Sequence, residues 1–401
     1  MKIFELNTYC GSGSTGRIAT DIADCAAHEN SQTLIGFGTG TVPPEADVYA
    51  LRVGGRAGRK WHGLIRRLMD MEGYGSIRAT RKLIAFLRLY QPDVIQLHNL
   101  HGCYLNHRLL FQYLKRANVP VFWTLHDCWP FTGHCAYFDF AGCDRWKTEC
   151  HDCPQQRSYP VCIGLDGSRR NYRRRQALFT DLPTLTLVAP CRWMQDLLGE
   201  SFLSKTPNRL IYNGVNRAIF YPRESDLRER YGLTESYLAL AVASEWEARK
   251  GYAFLPALAD LLGPACRLTV LGLTEAQIAA LPKTILGLPR TASTEELAQW
   301  YSAADCLINP TLEDNMPLVN LEALACGTPV AVFATGGCPE CVNSACGAVA
   351  PKGDVATLAA EALRLCAQKP AMREACLGQA EQFDSQATAQ AYLALYREAC
   401  S

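Results

Sequence analysis

Short apolar runs, each followed by a stretch with helical spacing, alternate along the whole chain, and this alternation leaves little choice of architecture. Strands buried on both faces read as continuous apolar runs, and strands separated by helices pair in parallel. Residues 2–8, 32–37, 93–97, 121–125 and 185–189 are strand-like, and 17–28 and 82–90 have helical spacing. After the turn dipeptide Asn213-Gly214 a second series begins. Its strands are expected at 237–243, 267–271, 306–309 and 330–334, and its helices at 251–262, 294–303, 317–326 and 356–366. The pattern predicts an α/β protein with two doubly wound parallel sheets, whose ligands bind beyond the carboxyl ends of the strands in a cleft between them.

Charge divides the chain at the same point. Through Gly214 there are 26 Lys and Arg against 18 Asp and Glu; beyond it there are 14 against 21, so a net +8 is balanced by −7. A basic first half suits phosphates or an anionic surface. No stretch of about 18 apolar residues is present to span a bilayer. The first residues read as a strand and not a leader, which predicts a cytoplasmic, reducing location, with the inner face of the membrane as a place of work.

Gly11-Ser12-Gly13-Ser14-Thr15-Gly16 follows a strand and opens a helix, as in a dinucleotide fingerprint. The second strand, however, runs into Gly36-Phe37-Gly38 and lacks the acidic residue that a nicotinamide cofactor's ribose requires. What remains is a loop whose backbone N–H groups can approach an anion. In the second half, Pro317 suits a first helical position, with Asp314 or Asn315 as its cap, and Gly327 ends that helix. Asp314 at the mouth and Glu322 inside the helix can both accept hydroxyl hydrogen bonds from one polyhydroxylated ligand.

The stretch from Asp314 to Pro329 resembles the E-x7-E signature of the retaining glycosyltransferases of family 4, which have the GT-B fold of two Rossmann-like domains. Asp314 stands where that signature has its first Glu, with Glu313 one residue upstream. The resemblance extends, in order, through the loop from Gly11 to Gly16, Thr124-Leu125-His126-Asp127, Val188 to Trp193, Tyr212-Asn213-Gly214-Val215, Arg249-Lys250-Gly251 and Tyr301 to Asp305. It implies an acceptor domain over 1–214, a nucleotide-sugar domain over 215–382 and a helix over 383–401 returning to the first. It implies retaining transfer of a sugar from a UDP- or GDP-sugar to a glycan or lipid-diphosphate-linked acceptor, in cell-surface polysaccharide synthesis of the bacterial type, with no cofactor or metal in the chemistry.

By the same resemblance Glu322 would bind the donor ribose, Asp314 the transferred sugar's hydroxyls, and the backbone of Asn315, Met316, Pro317 and Leu318 the sugar and phosphates. Lys250, with Arg249 beside it, would hold the diphosphate. Ala243-Ser244 replaces the basic residue common at that strand end, leaving Ser244 as a donor contact. His126 would touch the donor sugar or orient the acceptor, so His126, Lys250 and Asp314 form the expected catalytic set. His98, Asn99 and His101, one strand earlier, are expected to shape the acceptor pocket.

Cys135, Cys143, Cys150 and Cys153 cluster in an insertion over 128–162. Their spacing leaves open a structural zinc that staples a loop unable to form a core, free thiols, or disulfides. The basic runs at 52–67 and 169–175 come without a nucleic-acid motif and suit peripheral contact with an anionic membrane. A GT-B epimerase or phosphorylase, and a sensor that binds the donor without turnover, are the rival readings.

Overall fold

The computed structural model describes residues 1–400. They form two compact units, Met1–Tyr212 with Gln386–Ser401, and Asn213–Ser385. In the first, strands β1 (Lys2–Asn7), β2 (Gln32–Phe37), β3 (Ala50–Arg52), β4 (Val94–Leu97), β5 (Val121–Thr124), β6 (Leu185–Ala189) and β7 (Asn208–Leu210) make a parallel sheet in the order β3-β2-β1-β4-β5-β6-β7. In the second, β8 (Tyr237–Val242), β9 (Cys266–Leu271), β10 (Ile285–Leu288), β11 (Cys306–Asn309), β12 (Val330–Phe333) and β13 (Gly347–Ala350) are ordered β10-β9-β8-β11-β12-β13, also in parallel. Each sheet reverses its winding at its first strand, so a crevice opens at the carboxyl ends of β1 and β4 and another at those of β8 and β11. Those two crevices receive the residues singled out above.

Helices cover the sheets by the apolar stripes that their spacing dictates. Helix Gly13–His28 buries Ile18, Ala19, Ile22, Ala23 and Ala26, one face at 3.6 residues per turn. Helix Ser385–Cys400 sends Ala389, Tyr392, Leu393 and Tyr396 into the core of the first unit among Ile3, Val94, Phe122 and Val188. Its two phenols are satisfied there, Tyr396 donating to Gln96 Oε1 at 2.9 Å and Tyr392 meeting Thr124 Oγ1 at 2.9 Å.

Several elements depart from the sequence expectation, each for a physical reason. The four strands it did not anticipate, β3, β7, β10 and β13, are the sheet edges; they are only three or four residues long and partly exposed. The first helix starts at Gly13, four residues before its apolar stripe begins to show. The helix expected from Pro317 begins at Leu318, with Pro317 as a cap that has no side-chain bond, so neither Asp314 nor Asn315 caps it. The helix expected over 251–262 enters through a 3-10 turn, Tyr252–Phe254, before Leu255–Leu262. The insertion after β5 does possess a core: Trp129, Phe131, Phe138 and Trp146 are buried, and Arg175 lies over the Trp129 ring at 3.7 Å. Arg175 also donates to the carbonyls of Trp129 and Thr132, at 2.8 Å each, so these loop carbonyls need no water.

Candidate functional site

In the second unit the loops after β8 and β11 close on one another. Gly251 has φ +80°, and a Cβ there would stand 2.1 Å from the Pro310 carbonyl oxygen, so only glycine admits this approach. Gly336, at φ +53°, is held in the same way against the Asp314 carbonyl. Leu312 N–H donates to the Arg249 carbonyl at 2.8 Å, and Thr335 Oγ1 donates to the Leu312 carbonyl at 2.8 Å. The backbone that carries Arg249, Lys250 and Asp314 is thus tied from both sides.

On this frame Lys250 Nζ pairs with Asp314 Oδ2, and Asp314 Oδ1 accepts from the Asn315 N–H at 2.9 Å. Burial alone would raise the Asp314 pKa, but Lys250, then Arg249 and the Asn315 amide, hold it below the usual carboxylate range. Arg249 is engaged elsewhere, with Glu247 at 2.8 Å and the Glu313 carbonyl at 2.6 Å. Of the two basic residues, Lys250 is therefore the one aligned on the Asp314 carboxylate. Glu313 is fully buried, which leaves Asp314 as the acid with access to a ligand. Ser244 is exposed in the loop after β8.

Asn315, Met316 and Pro317 are buried and lead into helix Leu318–Ala325, whose first N–H groups have no side-chain cap. The Met316 carbonyl is fixed by Asn213 Nδ2 at 3.2 Å. Glu322, 3% exposed on that helix, accepts from the Tyr301 hydroxyl at 2.9 Å. Sequence reasoning gave Tyr301 no role; a tyrosine just ahead of Asp305 and β11 signals nothing until the fold places its hydroxyl on Glu322.

The first unit holds the remaining residues. Ser12 caps helix Gly13–His28 without a side-chain bond, and Gly11 N–H donates to the Gly16 carbonyl at 3.2 Å; Ser14 and Thr15 lie in the first turn. His126, half-buried after β5, has its Nε2 3.0 Å from His98 Nδ1. Two of the three expected acceptor residues are not open to an acceptor. His98 is 1% exposed and both its nitrogens are used, Nε2 facing Glu5 Oε2 at 3.0 Å. His101 is 5% exposed and bridges Asp127 Oδ2 at 2.8 Å and the Tyr159 hydroxyl at 2.7 Å. Histidines just beyond a strand end read as lining a crevice, but here Trp129 and Tyr159 of the insertion pack on His101, and Glu5 and His126 take up the nitrogens of His98. Asn99 stays half-exposed, its carbonyl accepting from Thr8 and Tyr104. Glu5, in the middle of β1, carried no expectation. Its signal is a carboxyl between the apolar residues Ile3, Phe4 and Leu6 in the buried part of a strand.

For Cys135, Cys143, Cys150 and Cys153 the sequence left zinc, free thiols and disulfides open. None of the nineteen cysteines is joined in a disulfide. Among the described residues the one group of three or more metal-ligating side chains with ligand atoms within 4.8 Å of each other is His62, Glu72 and Cys103, not Cys135, Cys143, Cys150 and Cys153. That group is itself saturated by protein: His62 Nε2 accepts from the N–H groups of Gly73 and Gly75, and Glu72 Oε1 from those of Gly102 and Cys103.

Residues 44–218 match the domain model described as Glycosyltransferase Family 4, and residues 237–368 match Glycosyl transferases group 1. The chain is 24% identical over 346 residues, 82% of each chain, to the putative colanic acid biosynthesis glycosyl transferase WcaC of Escherichia coli. It is 32% identical over 213 residues to a D-inositol 3-phosphate glycosyltransferase of Catenulispora acidiphila, 47% of this chain and 51% of that one. Its fold is similar to sucrose-phosphate synthase of Thermosynechococcus elongatus, with TM-score 0.72, 17% identity and coverage of 99% and 98% of the two chains. It is also similar to Anabaena HepE solved with UDP-glucose, with TM-score 0.68, 16% identity and coverage of 99% and 100%. The two reversed parallel sheets, the loops tied around Asp314 and these matches together place the chain in glycosyltransferase family 4, with the GT-B fold.

Proposed function

We propose that this glycosyltransferase moves a sugar, with retention at its anomeric carbon and without a divalent metal, from a nucleotide sugar to a lipid-diphosphate-linked glycan of the cell surface. The observation that carries this reading is the Lys250–Asp314 pair beside an uncapped helix start, at the point where the second sheet reverses. A diphosphate entering there meets free N–H groups and an ammonium, the two features that stabilise charge on a departing phosphate. Glu322, held by Tyr301, and Asp314 are the acceptors for ribose and sugar hydroxyls. HepE was solved with UDP-glucose, which supports a UDP-sugar donor, and WcaC is named for colanic acid biosynthesis, which supports a polysaccharide product.

Calorimetry with a panel of nucleotide diphosphates and their sugars, followed by NMR of the product's anomeric proton, tests the proposal. Tight binding of one nucleotide and a product of unchanged anomeric configuration, formed in chelator, are expected. An inverted product, or activity that needs added metal, overturns the mechanism; binding with no transfer to any lipid-linked acceptor makes the protein a sensor.

A surface in the first unit suits the proposed acceptor. Helix Arg56–Met69 buries only His62, and Trp61, 65% exposed, continues through Leu64 and Leu68 as one apolar stripe facing solvent. Ile163 and Leu165, also exposed, are fastened beside it by backbone bonds to Arg67 and Leu68 at 2.9 Å. Arg56, Arg59, Lys60 and Arg67 flank the stripe. An open cavity of about 740 Å³ follows the helix, lined by Met71, Tyr74 and Ile77 with Arg81, Arg108 and Arg174. Apolar residues with a tryptophan, rimmed by cations, fit the interface of an anionic lipid layer. No described helix is long and apolar enough to cross a membrane.

A further inference from the structure

Three ionisable side chains from three adjacent strands stand in a row in the first unit. Glu5 lies in β1, His98 follows β4 and His126 follows β5, and these strands are neighbours in the sheet. Glu5 Oε2 is 3.0 Å from His98 Nε2, and His98 Nδ1 is 3.0 Å from His126 Nε2. The two rings are nearly parallel, 13° apart, with centroids separated by 5.2 Å. Trp123 Nε1 donates to the His98 carbonyl at 2.8 Å and fixes the backbone of the middle member.

The inner end of the row decides what its outer end presents. Glu5 is fully buried, and its other oxygen, Oε1, has no hydrogen-bond partner. An ionised carboxylate with a bare oxygen in a dry site is costly, so the neutral acid is favoured. Burial accordingly pushes its pKa well above the usual carboxylate range. A neutral Glu5 donates Oε2–H to His98 Nε2. His98 then keeps its proton on Nδ1 and donates to His126 Nε2, which leaves the His126 proton on Nδ1. Burial depresses both histidines to about 3, so the rings are neutral at rest.

We propose that Glu5 and His98 are positioning residues that fix the tautomer of His126, so that its Nδ1–H is offered as a donor to a ligand oxygen. The inference rests on the reading of His126 as a group that acts in transfer. The row can also deliver a charge without exchanging a proton with water. Glu5 passes its proton to His98 Nε2 while His98 passes its Nδ1 proton to His126 Nε2. The products are the Glu5 carboxylate, a neutral His98 protonated on Nε2, and a His126 imidazolium. No proton is gained or lost, and the positive charge appears at the outermost ring, where an oxygen with developing negative charge is stabilised. The other ionisable groups nearby are Cys10, Tyr392 and Tyr396 around Glu5, and His101 and Asp127 around His126. Their hydrogen bonds go to atoms outside the row.

Nitrogen-15 NMR of the imidazoles in the full chain reads the tautomer directly, without reference to activity. The wild type is expected to show His126 protonated on Nδ1. Glu5→Leu is expected to release it into a mixture with Nε2–H. Transfer should then fall by about 10–10²-fold, below the 10²–10⁴ scale of an acid–base group itself, while nucleoside diphosphate affinity stays unchanged. Glu5→Gln, whose amide can still donate to His98, is expected to restore the tautomer but not full kcat, because it cannot give up a proton. A wild-type His126 protonated on Nε2, or a tautomer and kcat unmoved by either substitution, overturns the relay. Should Glu5→Leu fail to fold, the wild-type and Glu5→Gln spectra decide. His126→Ala with full transfer would instead remove the reading on which the relay rests, and the NMR result would stand apart from it.

Discussion

Lys250 and Asp314 face each other before any ligand arrives, and the ammonium helps to hold the buried carboxyl ionised. A carboxyl whose folded pKa is depressed contributes stability above its unfolded value and loses it as pH falls through the depressed one. In Lys250→Ala the nearest cation is gone and burial is opposed only by Arg249 and the Asn315 amide, so Asp314 should titrate at higher pH, as a carbon-13 carboxyl titration would report. The same variant should lose turnover more than donor affinity if the ammonium shifts from Asp314 to the departing diphosphate; equal losses would mean uniform binding. For Glu322→Ala, nucleotide-sugar affinity should drop by about 1.5–3 kcal/mol, the scale of hydrogen bonds to charged groups. Tyr301→Phe should cost less in the same calorimetric titration, since it removes only the bond that aims the carboxylate. His126→Ala should leave nucleotide diphosphate binding within about twofold and reduce transfer by about 10²–10⁴; loss of both would mark a residue that supports the fold. The Lys250 and Asp314 positions were legible because each follows a strand within a recognisable run of residues. Glu5 and Tyr301 were not, since what distinguishes them is the partner the fold supplies.

Among elements, helix Arg56–Met69 has the plainest disagreement between pattern and burial. Its stripe of Trp61, Leu64 and Leu68 has the spacing of a core-facing helix, yet faces solvent. On vesicles containing anionic lipid the Trp61 emission should shift to shorter wavelength and the protein should sediment with the lipid. With neutral vesicles, with high salt or with Leu64→Glu and Leu68→Glu together, both signals should fall away. A dimer that dissociates in that double variant would show instead that a second copy covers the stripe. In the sequence this segment read only as a basic run, because five arginines and lysines among fourteen residues hide the apolar period. The central strands were visible for the opposite reason, being buried on both faces, whereas the short, partly exposed edges β3, β7, β10 and β13 left no comparable trace.

At the scale of the whole molecule, the first unit is completed by residues that lie beyond the second in sequence. Tyr396→Phe leaves the buried Gln96 Oε1 without its donor and should cost about 1–3 kcal/mol, read by denaturant unfolding. Hydrogen exchange should then rise first in β1, β4, β5 and β6, the strands that helix Ser385–Cys400 packs against, and leave β8 and β11 protected. Equal loss in both units would mean that they unfold as one.

That arrangement also has a consequence in time. On a ribosome adding about 5–20 residues per second, the roughly 170 residues of the second unit take about 10–35 s to appear after Tyr212. Throughout that interval Ile3, Val94, Phe122 and Val188 wait for the Tyr392 and Tyr396 side of their core. The unit that emerges first is therefore finished last, and its nascent sheet is the part of the chain with most to gain from a chaperone.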